Sequence, residues 1–293
     1  MWFFFAIASV LLWGGADLFY KIGSDQHDRY SHLKIVVFVG GIMGLHAFIY
    51  MFAAGISYDP MNILRYFPVS LLYILSMVIG YVGLRYIELS VASPIGNSSG
   101  AVAFVLCYIF LGEDMTALQF AAAAVVSVGI FMLSLMEKRK RTRNMPISKE
   151  DRKYQIGAIA IIFPILYCVI DGLGTFADAI TLDRVMDEDQ ALLSYEFTFL
   201  AAALAAGFYL IVIKKQKLRW PKQKEHAAAG VLETAGQIFY VRALAENAVL
   251  TAPLVACYSI VSVLLSRIFL KEKLTAAQYA VIAVVMAAIA ALC

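Results

Sequence analysis

A chain of 293 residues that is 62% hydrophobic and only 15% charged carries more apolar surface than a water-soluble domain buries, since such domains run nearer half apolar and a quarter charged. Lipid is the expected solvent, and the formal net charge of +3 matters less than where the charges stand. The cysteines Cys107, Cys168, Cys257 and Cys293 all sit in apolar runs with no disulfide or zinc spacing, and read as small buried hydrophobes. No phosphate-binding loop, metalloprotease or hydrolase motif, metal cluster or nucleic-acid module is present, so no catalytic residue, metal or cofactor is expected.

Taken in order, ten segments have the roughly 20 apolar residues that a membrane-spanning helix needs. They fall at 2–22, 33–55, 66–88, 91–111, 115–136, 155–176, 191–213, 227–245, 248–270 and 275–293. The opening MWFFFAIASVLLW has no basic residue before its apolar run, which reads as a first spanning helix rather than a cleaved leader. Most connections are short. Lys138–Lys153 and Lys214–His226 are longer and basic, and Ala177–Gln190 is acidic, with Asp178, Asp183, Asp187, Glu188 and Asp189.

The stretch PIGNSSGAVAFVLCYIFLGEDMTALQ from Pro94 to Gln119 returns without a gap as PLVACYSIVSVLLSRIFLKEKLTAAQ from Pro253 to Gln278. Pro94 pairs with Pro253, Phe110 with Phe269, Glu113 with Glu272 and Gln119 with Gln278, an offset of 159. A weaker match at an offset of 154 sets Trp13 on Tyr167 and Asp17 on Asp171. The chain therefore divides into a first unit at 1–137, a basic linker at 138–153 and a second unit at 154–293. Five spans per unit, an odd number, make the two units enter the membrane from opposite faces: an all-α membrane protein of ten helices arranged as a 5+5 inverted-topology repeat. Lys and Arg crowd one side, with Lys21, Arg29, Lys34, Arg85 and both basic loops, against Arg65, Arg184 and Arg242 on the other. The positive-inside rule makes the crowded side cytoplasmic, linker included, and leaves both termini outside.

Two halves of five helices, each with a proline-led helix ending in FLGE or FLKE and then a T-A-x-Q helix, resemble the drug/metabolite transporter superfamily, EamA type. Leu12-Trp13-Gly14 also resembles that family's first helix. The resemblance covers essentially the whole chain. It implies a basket of helices around a central cavity, lined by helices one, three, four, six, eight and nine, with five and ten outside. It also implies export of amino acids, metabolites or drugs, or movement of nucleotide sugars and related solutes. Compared members usually keep both termini inside, and the charges here depart from that habit.

Ionisable groups inside a membrane are costly and tend to face the bundle interior. Asp17 and Asp171 occupy matching places, and either line opposite walls of one cavity or cap and pair near helix ends. Glu233, Gln237 and Tyr240 share one face of the eighth helix, a polar stripe expected to face the cavity. Asn97, Ser98 and Ser99 open the fourth helix between Gly96 and Gly100, and Cys257, Tyr258 and Ser259 stand in the matching part of the ninth. Small polar residues there serve close packing, and the resemblance implies that Asn97, Ser98 and Tyr258 line the cavity. Arg85 with Glu88, and Arg242 with Glu246, read as intrahelical pairs or as a guanidinium awaiting an anionic group. Glu196 reads as interfacial or cavity-lining, and His46 as a packing hydrogen bond.

The expected function is a plasma-membrane, multi-pass secondary transporter moving a small polar metabolite or drug-like solute by alternating access. Its partners are the small-molecule substrate, the lipid bilayer and a proton or counter-ion, with no nucleic acid; a homodimer is an assembly it allows. The acidic lean of the cavity candidates suggests proton coupling or an amine-bearing solute. The competing class, a membrane-embedded lipid-modifying enzyme, usually needs clustered Asp or His at a membrane face, whereas His27, His32, His46 and His226 are scattered.

Overall fold

The computed structural model describes residues 1–25, 27–111, 116–118, 120–122, 124–125, 128–129, 132, 136, 160–216, 218, 223–247, 251 and 254–291. The Glu113 turn, most of the fifth expected span, the basic linker 138–153 and Pro253 lie outside the described residues. The described elements are all helical: α1 (Trp2–Gly23), α2 (Ser31–Ala53), α3 (Met61–Leu84), α4 (Leu89–Gly96), α5 (Ser99–Leu111), α6 (Ile162–Arg184), α7 (Glu188–Phe208), α8 (Lys224–Glu246), α9 (Tyr258–Leu265) and α10 (Ala276–Ala290). Single π-helical turns, Tyr209–Ile213 and Ser266–Leu270, follow α7 and α9.

Among the described residues, six stretches are long and apolar enough to cross a membrane: α1, α2, α3, α4 with α5, α6, and α7 with its π turn. Leu254–Leu270 and Ala276–Ala288 are apolar but shorter. Helix α8 has the length but carries Lys224, Glu225, Glu233, Arg242 and Glu246. It tolerates its polar middle because Glu233, Thr234, Gln237 and Tyr240 are buried inside the protein rather than in lipid.

Three boundaries differ from the sequence reading. The fourth span is two helices, broken at Asn97 and Ser98. Pro94 supplies no N–H to the turn before it, and side chains then take over backbone partners: Asn97 Nδ2 donates to Ser93 Oγ at 3.0 Å, and Ser98 Oγ to the Pro94 carbonyl at 2.8 Å. Arg85 and Glu88 are not an intrahelical pair, because α3 stops at Leu84 and Glu88 is extended, with ψ 139°, ahead of α4. The sixth helix runs on to Arg184 and takes in Asp178, which sequence assigned to an acidic loop.

The halves are interleaved. Ser9 Oγ donates to the Gly236 carbonyl at 2.7 Å, and His226 Nε2 to the Gly23 carbonyl at 3.1 Å, so α1 and α8 run antiparallel. Helices α3 and α6 do the same: Tyr66 meets Asp178, Ser76 meets Asp171, and Gly83 meets Phe163. Helices α2 and α7, which hold equivalent places in the two halves, are also antiparallel, with Gly40 against Phe199 and Tyr50 against Asp189. Exchanging the halves turns the α1–α8 contact into the α6–α3 contact and returns α2–α7 to itself. Glycine makes the α2–α7 crossing close: a Cβ on Gly40 would strike the Phe199 carbonyl, and one on Gly44 the Leu200 side chain, whereas Gly41 has nothing within 4 Å.

Polar ties join the halves at both ends of the bundle. At one end the Glu272 carboxylate caps α4, accepting from the N–H groups of Leu89 at 3.0 Å and Ser90 at 2.9 Å. Lys21 Nζ reaches the carbonyls of Leu84 and Ile87 beside it. At the other end Arg242 donates to Tyr50 Oη at 3.1 Å, Tyr50 donates to Asp189 at 2.8 Å, and Asn62 donates to Gln190 at 2.9 Å.

Candidate functional site

Between the two sets of ties lies a cavity whose space, counted to its mouth, is about 1080 Å³. Helices α1, α3, α4, α6, α8 and the chain leading into α9 wall it, as the resemblance implied, and α7 adds Tyr195.

Three carboxylates face it. Asp17 accepts from Ser93 Oγ at 2.6 Å and Ser262 Oγ at 2.7 Å. Asp171, its counterpart in the second half, accepts from Ser76 Oγ at 3.2 Å and also from Ser99. Glu233 accepts from Tyr20 Oη at 3.0 Å. Hydroxyls satisfy these oxygens without neutralising them, and no Lys, Arg or His is among the described lining residues. Much of the remaining wall is aromatic, set among small and aliphatic residues. Trp13 packs against Tyr240 and Tyr258, with ring centroids 4.8 and 5.7 Å apart, and Tyr20 against Tyr81 at 4.6 Å. Gln237 is 3% exposed, yet its amide nitrogen has no hydrogen-bond partner.

Of the residues singled out from sequence, Asp17, Asn97, Asp171, Glu233, Gln237, Tyr240 and Tyr258 surround this one cavity. Ser98 does not. The break after Gly96 sends the Ser98 N–H to Ile95 and leaves the Pro94 carbonyl to the Ser98 hydroxyl, which turns away from the space. Four charged candidates also stand elsewhere. Glu196 is fully buried and paired with His46 at 2.8 Å, Arg242 belongs to the Tyr50 tie, Arg85 donates to the carbonyls of Asp25 and Arg29, and Glu88 precedes α4.

Sequence reasoning named Tyr240 and Tyr258 but missed the rest of the aromatic wall, and Asp178. Asp178 is 0% exposed and accepts from Tyr66 at 2.6 Å and Tyr73 at 3.2 Å; Tyr73 in turn meets Tyr240 at 3.3 Å on the cavity wall. Helical spacing held the signal. Trp13 and Tyr20 lie four before and three after Asp17, and Tyr167 and Thr175 lie four either side of Asp171, so each group shares a face with its aspartate. Asp178 lies two turns beyond Asp171 on that same face.

One solved chain, titled only "Crystal structure of protein", matches 98% of this chain and 94% of its own length at a TM-score of 0.65 and 14% identity, a likeness of fold alone. No curated protein matches the sequence. The model of the EamA-like transporter family matches twice, over residues 1–135 and 158–293, one match for each half of the structure that walls the cavity. With both halves matched and multiple apolar helices crossing the fold, the chain is a multi-pass membrane protein that belongs to the EamA-like transporter family.

Proposed function

We propose that this protein is a secondary transporter that carries a small polar or drug-like solute through the cavity by alternating access. The observation that carries the reading is that equivalent residues of the two halves, Asp17 and Asp171, turn into a single shared space. The antiparallel run of α2 and α7, equivalent helices in the two halves, supports ten spans in a 5+5 inverted repeat, with units at 1–137 and 154–293 about the linker 138–153. Polar contacts between the halves that opening would break include the Glu272 cap on one side and the Arg242–Tyr50–Asp189 tie on the other. A gradient of protons or of a counter-solute drives the cycle, and the cavity carboxylates are the groups suited to exchange one for the other. Membership of a transporter family gives no support to a lipid-modifying enzyme.

The excess of Lys and Arg on the Lys21 side supports a cytoplasmic Lys21 end and linker with both termini outside, and the membrane proposed is the plasma membrane. A reporter active only in the cytoplasm, fused after Cys293, is expected to be silent, and activity there reverses the orientation. Purified protein in liposomes is expected to give saturable, gradient-driven solute movement that Asp17→Asn and Asp171→Asn each abolish; equal movement by wild type and both variants ends the proposal.

A further inference from the structure

We propose that the cavity selects an organic cation: a solute with a protonated or quaternary nitrogen, an apolar or ring-bearing body, and a hydrogen-bond acceptor. The inference rests on the reading of this cavity as the transport site and adds its charge selectivity.

Three observations carry it. Asp17, Asp171 and Glu233 are held only by hydroxyls, and all three line the same cavity. An anionic solute entering here meets like charge with no described Lys, Arg or His to receive it. A cation supplies what the site lacks. The wall also includes the rings of Trp13, Tyr20, Tyr81, Tyr240 and Tyr258, and aromatic rings attract ammonium groups most strongly where water is excluded. Independently, the Gln237 amide nitrogen is buried at the cavity wall with no partner, a donor that a solute oxygen would satisfy. Outside the lining, Asp178 is closed off behind the hydroxyls of Tyr66 and Tyr73, while Glu196 is matched by the basic His46. Within the cavity that role is left to the cargo.

The test is isothermal titration calorimetry on the purified full-length protein in detergent. The probes are tyramine, which has an ammonium, a ring and a hydroxyl; para-hydroxyphenylacetate, of similar size but negative; and spermidine, a cation with no ring. Tyramine is expected to bind saturably below about 10 mM, with para-hydroxyphenylacetate at least about tenfold weaker. Spermidine distinguishes the cation classes: weaker binding than tyramine assigns the site to ring-bearing amines, and tighter binding to flexible polyamines. Asp17→Asn and Glu233→Gln are each expected to weaken the preferred cation by about tenfold or more. Glu196→Gln, more deeply buried and outside the cavity, is expected to leave affinity unchanged. Each variant is compared by size-exclusion profile and circular dichroism, so that lost folding is not read as lost binding. Should either variant fail to fold, competition between tyramine and para-hydroxyphenylacetate on the wild type still decides charge preference. The inference is overturned if the anion binds as well as tyramine, if the Glu196→Gln variant loses as much affinity as the cavity variants, or if neither cation binds. A cation that binds without crossing liposomes refutes the transport reading alone. An anion carried without cation binding refutes the charge selectivity alone.

Discussion

Two kinds of buried carboxylate stand a few turns apart in this bundle. Glu196, 0% exposed, has a basic partner in His46, which stacks on Tyr50 at a centroid distance of 5.5 Å. Asp17, Asp171 and Glu233 have only Ser and Tyr hydroxyls. A buried charge that serves the fold is matched within the fold, because an unmatched one is costly. One matched only by hydroxyls on the cavity wall remains available to something that comes and goes, whereas Asp178, held by the Tyr66 and Tyr73 hydroxyls, is 0% exposed and stays within the fold. The contrast separates residues that hold α2 to α7 from residues that meet solute.

Breaking the paired class has the largest expected effect on stability. His46→Ala leaves Glu196 without its basic partner and should cost about 3 kcal/mol, toward the low end for a broken buried pair because His46 is 24% exposed. Thermal melting in detergent measures it, and transport per folded molecule should survive. The cavity class should behave in the opposite way. Asp171→Asn keeps the carboxylate's shape and can still accept from Ser76, so melting should shift little while solute flux in liposomes falls by about a hundredfold, roughly 2.7 kcal/mol. If Asp171→Asn mainly lowers the melting temperature, the distinction between the classes fails.

A smaller effect tests the crossing that the Glu196 pair spans. Gly40→Ala should destabilise by about 1–3 kcal/mol, since the new methyl group strikes α7. Gly41→Ala, one residue on, meets open space and should be neutral or slightly stabilising. Equal melting of the two variants would misplace the α2–α7 interface. The smallest effect belongs to the surface. Burial alone would raise the Asp28 carboxyl, but the Lys34 ammonium, the Tyr30 N–H and the nearby Arg85 outweigh it and hold the group below its ordinary value. A depressed carboxyl stabilises above the unfolded carboxylate range and loses that contribution as pH falls through its folded value. Asp28→Asn should therefore cost under about 1 kcal/mol at neutral pH, with the difference from wild type vanishing in acid. A difference that grows in acid would reverse the sign.

Much of this was legible in the sequence because membrane folds restrict the options. Apolar runs located α1 and α2 to within two residues, and the Pro94/Pro253 duplication and the Asp17/Asp171 match pointed to a cavity shared by two halves. The Glu233, Gln237, Tyr240 stripe was visible because a polar face on an apolar helix has nowhere else to turn. The misses have physical causes. Hydropathy ended the sixth helix before Asp178, since a transfer scale charges an aspartate its full cost and cannot see Tyr66 and Tyr73 waiting across the interface. The aromatic wall beyond Tyr240 and Tyr258 was invisible because tyrosines suit cores, cavities and lipid interfaces alike, and only the placement of α3 and α6 against α1 and α8 decides between them. The Glu272 cap was seen only as a repeat marker, because its partners, the N–H groups of Leu89 and Ser90, belong to the other half.

The central claim is that one cavity, built by both halves, opens to each side in turn. Met77 lines it and is 7% exposed, so Met77→Cys in a background with the native cysteines replaced places a single thiol in the path. In sealed proteoliposomes of one orientation, a membrane-impermeant maleimide is applied from either face, with and without the transported solute. The account predicts labelling from both faces, with solute slowing one rate as it speeds the other. Labelling from one face only, at a rate indifferent to solute, would contradict it.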